Sequence, residues 1–393
     1  MPDFPMPRGT CPFRQHPGYA EAAALGPLTK VSMAHGQIVW FVTGYAETRA
    51  LFADPRLSVD RTNPGYPGSA AATPEQLEQL RETQSFNQLD DPEHAAYRRL
   101  AIPSLTVRRV KSLRPALQSA VDDIVDDLLA AGPPADLVPA LAVPLPSIML
   151  SLLYGIPDRQ YFEQRVQQAA TDRRFGGRAL SELSDYLDTL LRSRDGTGDD
   201  LLSGLMSGRR ADQVTQRRVL NLALQTLVAG NESTLSMLAM GALSLLAHRD
   251  QWEALVADPG RVPAAVEELL RYLSVADSVP RVALADVEIT GEVIRAGDGV
   301  LLATPAANRD GNTFANPDEL EVERSARHHV AFGYGVHQCV GQNLARATLE
   351  IAFGALVTRI PDLRLAVPAD EVLIDGGVGV HRITRLPVTW GGR

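Results

Sequence analysis

The stretch Phe332-Gly333-Tyr334-Gly335-Val336-His337-Gln338-Cys339-Val340-Gly341 decides the reading of this chain, and a run of helical character, Gln342 to Glu350, follows it at once. Glycines on both sides of a lone cysteine let the backbone turn tightly and approach a flat ligand. A helix that begins beside the sulfur brings its positive end close, which favours a thiolate. A single buried cysteine is ordinarily a small, inert core residue. Here the surrounding spacing, more than the cysteine itself, argues for a ligand.

That spacing resembles the heme-ligand loop of the cytochrome P450 monooxygenases, Phe-Gly-x-Gly-x-His-x-Cys-x-Gly in the bacterial branch, and every fixed position is filled. The resemblance covers nearly the whole chain and looks most like the actinobacterial branch. It implies heme b, with Cys339 as the metal ligand and Phe332, Gly333 and Gly341 against the cofactor. Anionic sulfur pushes electron density onto iron and favours O–O cleavage over reversible oxygen storage. Backbone N–H groups after Cys339 would moderate that push by hydrogen bonding to the sulfur.

The composition agrees with a soluble globular enzyme. Of 393 residues, 45% are hydrophobic and 22% charged, enough for a large buried core. No Gly/Ser-rich or Pro-rich linker separates differently patterned halves, so a single domain over residues 1–393 is expected. A net charge of −9 argues against general nucleic-acid binding. Cys11 and Cys339 are the only cysteines, too few for a disulfide framework, a structural zinc site or an iron–sulfur cluster; a reducing cytoplasm fits. The start, Met1-Pro2-Asp3-Phe4-Pro5, has neither a charged n-region nor an apolar h-region, so no signal peptide or membrane anchor is expected. The most apolar window, Leu137 to Ile156, contains Pro139, Pro144 and Pro146 and reads as a buried, broken helix rather than a membrane span.

Periodicity predicts a mainly α chain with small β-sheets. Gln37 to Val42 reads as a strand, Tyr45 to Phe52 as a helix, and Thr62 to Leu89 as an irregular or partly helical excursion. Helical periodicity runs from Pro92 to about Leu246, its longest proline-free piece being Val214 to Leu246. Shorter helices are expected at Gln251 to Val256 and Pro263 to Leu273, and strands at Val282 to Ile289, Glu292 to Ile294 and Val300 to Leu302. A polar meander, Asn308 to His329, leads to the cysteine loop; a helix over Asn343 to Val357 and three short strands close the chain. The resemblance implies the cytochrome P450 fold, an α-rich part plus a β-rich region, with heme between the long central helix and the helix after the cysteine.

Four further constellations carry chemistry. Glu268 and Arg271 lie three apart on one helical face and match the family's Glu-x-x-Arg, a buried pair bracing the meander, with Arg324 as a third member. Val228-Ala229-Gly230-Asn231-Glu232-Ser233-Thr234 places poor helix formers mid-helix. It resembles the family's oxygen-binding groove, where a helix distortion admits dioxygen over the cofactor beside Ala229 and Gly230. Glu232 would be the relay acid and Ser233 its alcohol, where the family usually has threonine; Thr234 points about 100° away around the helix. His94 and Arg98, with Arg281 and His337, match the family's positions for the heme propionates. Finally, Arg98, Arg99, Arg108, Arg109, Lys111 and Arg114 form a basic island, expected to dock an acidic electron donor.

The resemblance thus implies a heme-thiolate monooxygenase that inserts one atom of O2 into a small organic substrate by hydroxylation or epoxidation, with NAD(P)H electrons arriving through a separate ferredoxin-like partner. A polyketide macrolide or similar secondary metabolite is the expected substrate class, because Ala229 to Thr234 is similar to oxidases of polyene macrolides. The substrate pocket is expected from Thr62–Leu89, Gln168–Arg178, Leu224–Glu232, Ser278–Val282 and Gly376–His381. Two alternatives stay open: peroxide-driven or oxidative-coupling chemistry, and a non-catalytic heme sensor.

Overall fold

Residues 235 to 246 are buried without exception, so this apolar stretch runs through the interior as a helix with no solvent face. It forms the second half of Gln216–Ala247, a helix of 32 residues, roughly 48 Å long at 1.5 Å per residue. The Thr215 hydroxyl caps its start by accepting from the N–H of Arg218. The structure, a computed structural model, describes residues 3–6, 13, 15, 17–68, 72–171, 177–212, 215–375 and 380–391. Cys11 and the parts of the expected pocket at 69–71, 172–176 and 376–379 lie outside the described residues.

Around the long helix pack Pro144–Tyr154, Gly177–Ser193, Val262–Leu273 and Gln342–Arg359, and Val107–Ala131 packs on the first and last of these, all sharing one large apolar core. The proline-broken window folds as a short wide turn over Val138–Ala142 followed by the helix Pro144–Tyr154. Among the described residues no helix is long and apolar enough to cross a membrane.

The largest sheet has six strands, in the order Asp3–Phe4, Leu28–Met33, Ile38–Val42, Gly299–Leu302, Val279–Ala283, Leu57–Ser58. Ile38–Val42 pairs parallel with Gly299–Leu302, Trp40 opposite Val300, so the early and late strand segments join one sheet. The expected strand Val282 to Ile289 divides into Val279–Ala283, the antiparallel neighbour of Gly299–Leu302, and Val287–Ile289, which forms a hairpin with Glu292–Ile294. The break falls at the exposed Leu284, where the chain leaves the sheet. This sheet places Arg281, and the helix Glu93–Ala101 places His94 and Arg98, around one cavity.

Candidate active site

The cysteine loop is closed on itself. Gly333 and Gly335 take left-handed φ values of 68° and 75°. A side chain at Gly335 would also have its Cβ 2.8 Å from the Phe52 carbonyl oxygen, so only glycine fits there. The return brings the Cys339 N–H to the carbonyl of Phe332 at 2.8 Å, and Gly341 starts the helix Gln342–Arg359.

The sulfur faces a cavity of about 370 Å³. Cys339 is exposed into that space, yet it is enclosed by protein on the larger scale. That enclosure governs its charge: desolvation, the largest influence, raises the thiol pKa. Opposing it are a hydrogen bond from the Gly341 backbone, the charges of Arg98 and Arg346, and the Gln342 backbone N–H. The backbone N–H groups at the helix start thus lower the thiol pKa against a larger effect of burial.

Four basic or imidazole groups converge on the same cavity. Arg98 donates to the Gln338 carbonyl at 2.6 Å, and burial lowers its pKa. Arg281, 5% exposed, donates only to the Pro280 carbonyl among the described residues; desolvation lowers its pKa to about 10. Neither arginine has a carboxylate partner among the described residues. His94 and His337 lie with ring centroids 4.0 Å apart; His94 Nδ1 meets Asp91 at 3.1 Å, while His94 Nε2 and His337 Nδ1 are buried without a partner. Burial lowers the pKa of both rings, that of His337 to about 3, helped by the nearby charges of His94 and Arg281. Buried cations without counter-anions are costly. The cluster is thus complementary to a ligand carrying two carboxylates, and the lone thiol and apolar walls fit the rest of a heme.

Phe332, Gly333, Gly341, Ala229, Gly230, Ser233 and Thr234 all line the cavity. The expected helix distortion is absent: Gln216–Ala247 is α-helical throughout. Ser233 instead turns its hydroxyl back to the Ala229 carbonyl at 2.7 Å, satisfying itself within the helix. Glu232 is not on the cavity wall. Its carboxylate accepts from Arg382 at 3.0 Å, and Arg382 also donates to the Ala170 carbonyl. Asn231, fully buried, has neither amide atom bonded. Of the expected pocket segments, Phe86, Asn87, Gln225, Thr226, Val279 and Val380 reach the cavity, whereas no described residue of Gln168–Arg178 does.

Behind the cysteine loop, Arg271 and Glu268 form a fully buried bidentate pair, both bonds 2.7 Å. Arg271 also donates to the carbonyls of Asn308, Pro317 and Glu319, and Arg324 to Glu268 at 3.1 Å. The meander is thereby tied down as expected. Sequence reasoning missed the adjacent Glu267, which binds Arg346 and His329. The doubled glutamate and the arginine one turn into the cysteine helix were the available signals.

The basic island is not uniform. Arg98 points inward, Arg109 pairs with Asp199 and Arg114 with Glu350, leaving Arg99, Arg108 and Lys111 exposed.

The cytochrome P450 family model matches residues 261–360. The chain is 45% identical to pentalenic acid synthase of Streptomyces avermitilis, over 98% of this chain and 97% of that protein. It is 40% identical to 20-oxo-5-O-mycaminosyltylactone 23-monooxygenase of Streptomyces fradiae, over 98% and 92% respectively. The crystal structure of cytochrome P450 MoxA from Nonomuraea recticatena superposes with a TM-score of 0.93 at 41% identity, covering 100% of this chain and 99% of that one.

Proposed function

We propose that this chain, which belongs to the cytochrome P450 family and is one of its monooxygenases, inserts one atom of O2 into a neutral secondary metabolite such as a polyketide macrolide. The observation that carries this is the cavity itself: one thiol on one wall, four carboxylate-seeking groups at one edge, and otherwise apolar lining. The heme, when bound, supplies the oxygen activation and the oxidising power.

The residues divide the remaining work. Cys339 holds the iron through its sulfur, with the Gly341 and Gln342 N–H groups favouring the anion. His94, Arg98, Arg281 and His337 take the propionates, whose charge satisfies the orphaned ring nitrogens. Ala229 and Gly230, small residues on the cavity wall, would leave room for the cofactor beside the long helix. Ser233 and Thr234 hold hydroxyls at that face and pass protons; Glu232 joins them when its bond to Arg382 opens.

With the four basic groups occupied, no charged side chain remains among the described lining residues, and Asn87 and Gln225 offer neutral hydrogen bonds. That favours a neutral, mostly apolar substrate bearing oxygen functions. Relatives named for pentalenic acid and for a mycaminosyltylactone support the secondary-metabolite class. On the cysteine side a depression of about 560 Å³, bordered by Lys111, Arg114, Arg327 and Asn343, suits an acidic ferredoxin-like donor of NAD(P)H-derived electrons.

The reduced carbon monoxide complex should show the red-shifted thiolate band, lost in Cys339→Ala. A macrolide panel read by the Soret shift should then give binders that are oxidised with O2, NAD(P)H, ferredoxin and reductase. Turnover driven by peroxide alone, with none under those conditions, would replace this reading with the peroxide-using one.

A further inference from the structure

Two consecutive carboxylates leave the helix Val262–Leu273 about 100° apart, and each is buried in its own cluster. Glu268 serves the meander. Glu267, 3% exposed, serves something else. It accepts from Arg346 Nε at 2.5 Å and from Arg346 Nη2 at 3.1 Å, one bond on each oxygen. His329 Nε2 lies 3.2 Å from the same carboxylate. Because His329 Nδ1 accepts from the Ala331 N–H at 3.1 Å, the ring proton sits on Nε2 and is donated to Glu267.

All three groups bear on the cysteine loop. The Arg346 guanidinium lies 4.6 Å from the centre of the Phe332 ring, and the His329 ring is 5.8 Å from it. Phe332 in turn supplies the carbonyl that receives the Cys339 N–H. Arg346 Nη1 also donates to the Gln342 side chain at 2.9 Å, and Gln342 is one of the two residues whose backbone N–H points at the sulfur. Both ends of the loop are thus fastened to one largely buried charge pair.

We propose that Glu267, Arg346 and His329 are positioning residues for the Cys339 thiolate, and that the Glu267–Arg346 charge balance sets how strongly the sulfur donates to the iron. Arg346 brings a cation to the thiolate side of the cavity, and Glu267 offsets it. Glu267 is buried and the Arg346 side chain is 22% exposed, so removing one member leaves an electric field that solvent screens only in part. The two removals act in opposite directions. Without Glu267 the excess positive charge favours the reduced, less positive iron; without Arg346 the excess negative charge disfavours it.

The inference rests on the reading that Cys339 holds the iron, and the test is a reductive potentiometric titration of the heme-loaded protein together with the reduced carbon monoxide spectrum. Glu267→Gln should raise the midpoint potential and Arg346→Gln should lower it. Arg346→Lys keeps the charge but loses the two-pronged bond and the flat contact with Phe332. It should keep the potential near wild type while a larger fraction of the complex loses the thiolate band. General loosening of the fold would move all variants the same way. Shifts of one sign in Glu267→Gln and Arg346→Gln, or Arg346→Lys following Arg346→Gln in potential, would overturn the proposal. If Glu267→Gln takes up no heme, the two Arg346 variants decide the matter. A wild-type protein without the thiolate band would remove the reading of Cys339 as well; the band with same-signed shifts would overturn the network alone.

Discussion

The two walls of the cavity are built on different principles. Behind the cysteine loop both buried carboxylates are fully partnered: Glu268 is bound by Arg271, Arg324 and the Glu321 N–H, and Glu267 by Arg346 and His329. On the long-helix side the polar groups are partnered casually. Ser233 bonds back to its own helix, Glu232 is held by an arginine from the far end of the chain, and the Asn231 amide has no partner among the described residues. A wall that fixes a metal ligand gains from rigid, fully satisfied networks. A wall across which protons and a substrate must move gains from groups that can exchange partners.

Breaking the ionic wall should have the largest effect. Arg271→Ala leaves Glu268 buried with only Arg324 and the Glu321 N–H, and loss of one member of such a pair costs about 3–5 kcal/mol, a large share of a domain's stability. Heme content after purification and urea unfolding should both collapse. Retained heme and stability would make the pair dispensable and the contrast with the long helix void.

Acid should attack the same wall next. Glu267 has its pKa lowered from 4.5 to about 2: desolvation, the largest single influence, pushes it up, but the hydrogen bonds from His329 and Arg346 and their charges outweigh it. A carboxylate whose folded pKa is depressed stabilises the fold above its unfolded pKa. That contribution, of about 3 kcal/mol, disappears as pH falls from 4.5 toward 2. Unfolding free energy should drop more steeply over that interval in wild type than in Glu267→Gln, which has no carboxylate to protonate.

The long-helix wall should respond in the opposite sense. Asn231→Leu keeps the side-chain shape, removes two unbonded buried polar atoms and improves helix propensity. It should stabilise the protein by about 1–2 kcal/mol, read as a higher urea midpoint at unchanged slope. Destabilisation would show that the amide is satisfied in solution and that this wall is as fully partnered as the other.

The smallest structural change concerns Ser233→Thr. The added methyl restricts the rotamer, and stability should move by no more than about 0.5 kcal/mol. Product formed per NAD(P)H consumed should stay equal or rise, whereas Ser233→Ala should divert electrons to peroxide. Unchanged coupling in both would take Ser233 out of the proton path.

What the sequence determined by itself was local. The cysteine loop, the Glu268–Arg271 pair and the His94–Arg98 face are set by spacings within one loop or one helical turn, where backbone geometry alone fixes which side chains meet. Propensity also marked Ala229 to Thr234 as unusual, yet the chain stays α-helical through the patch, where the Ser233 hydroxyl bonds back to the Ala229 carbonyl. Tertiary structure alone decided the partners of Glu267 and Glu232. His329 is 62 residues from Glu267 and Arg346 is 79, while Arg382 is 150 from Glu232. A carboxylate pairs with whichever cation the fold brings within about 3 Å. The spacing to Arg271 singles out Glu268, but the partners of Glu267 are set only once the helix has been placed between the meander and the cysteine loop.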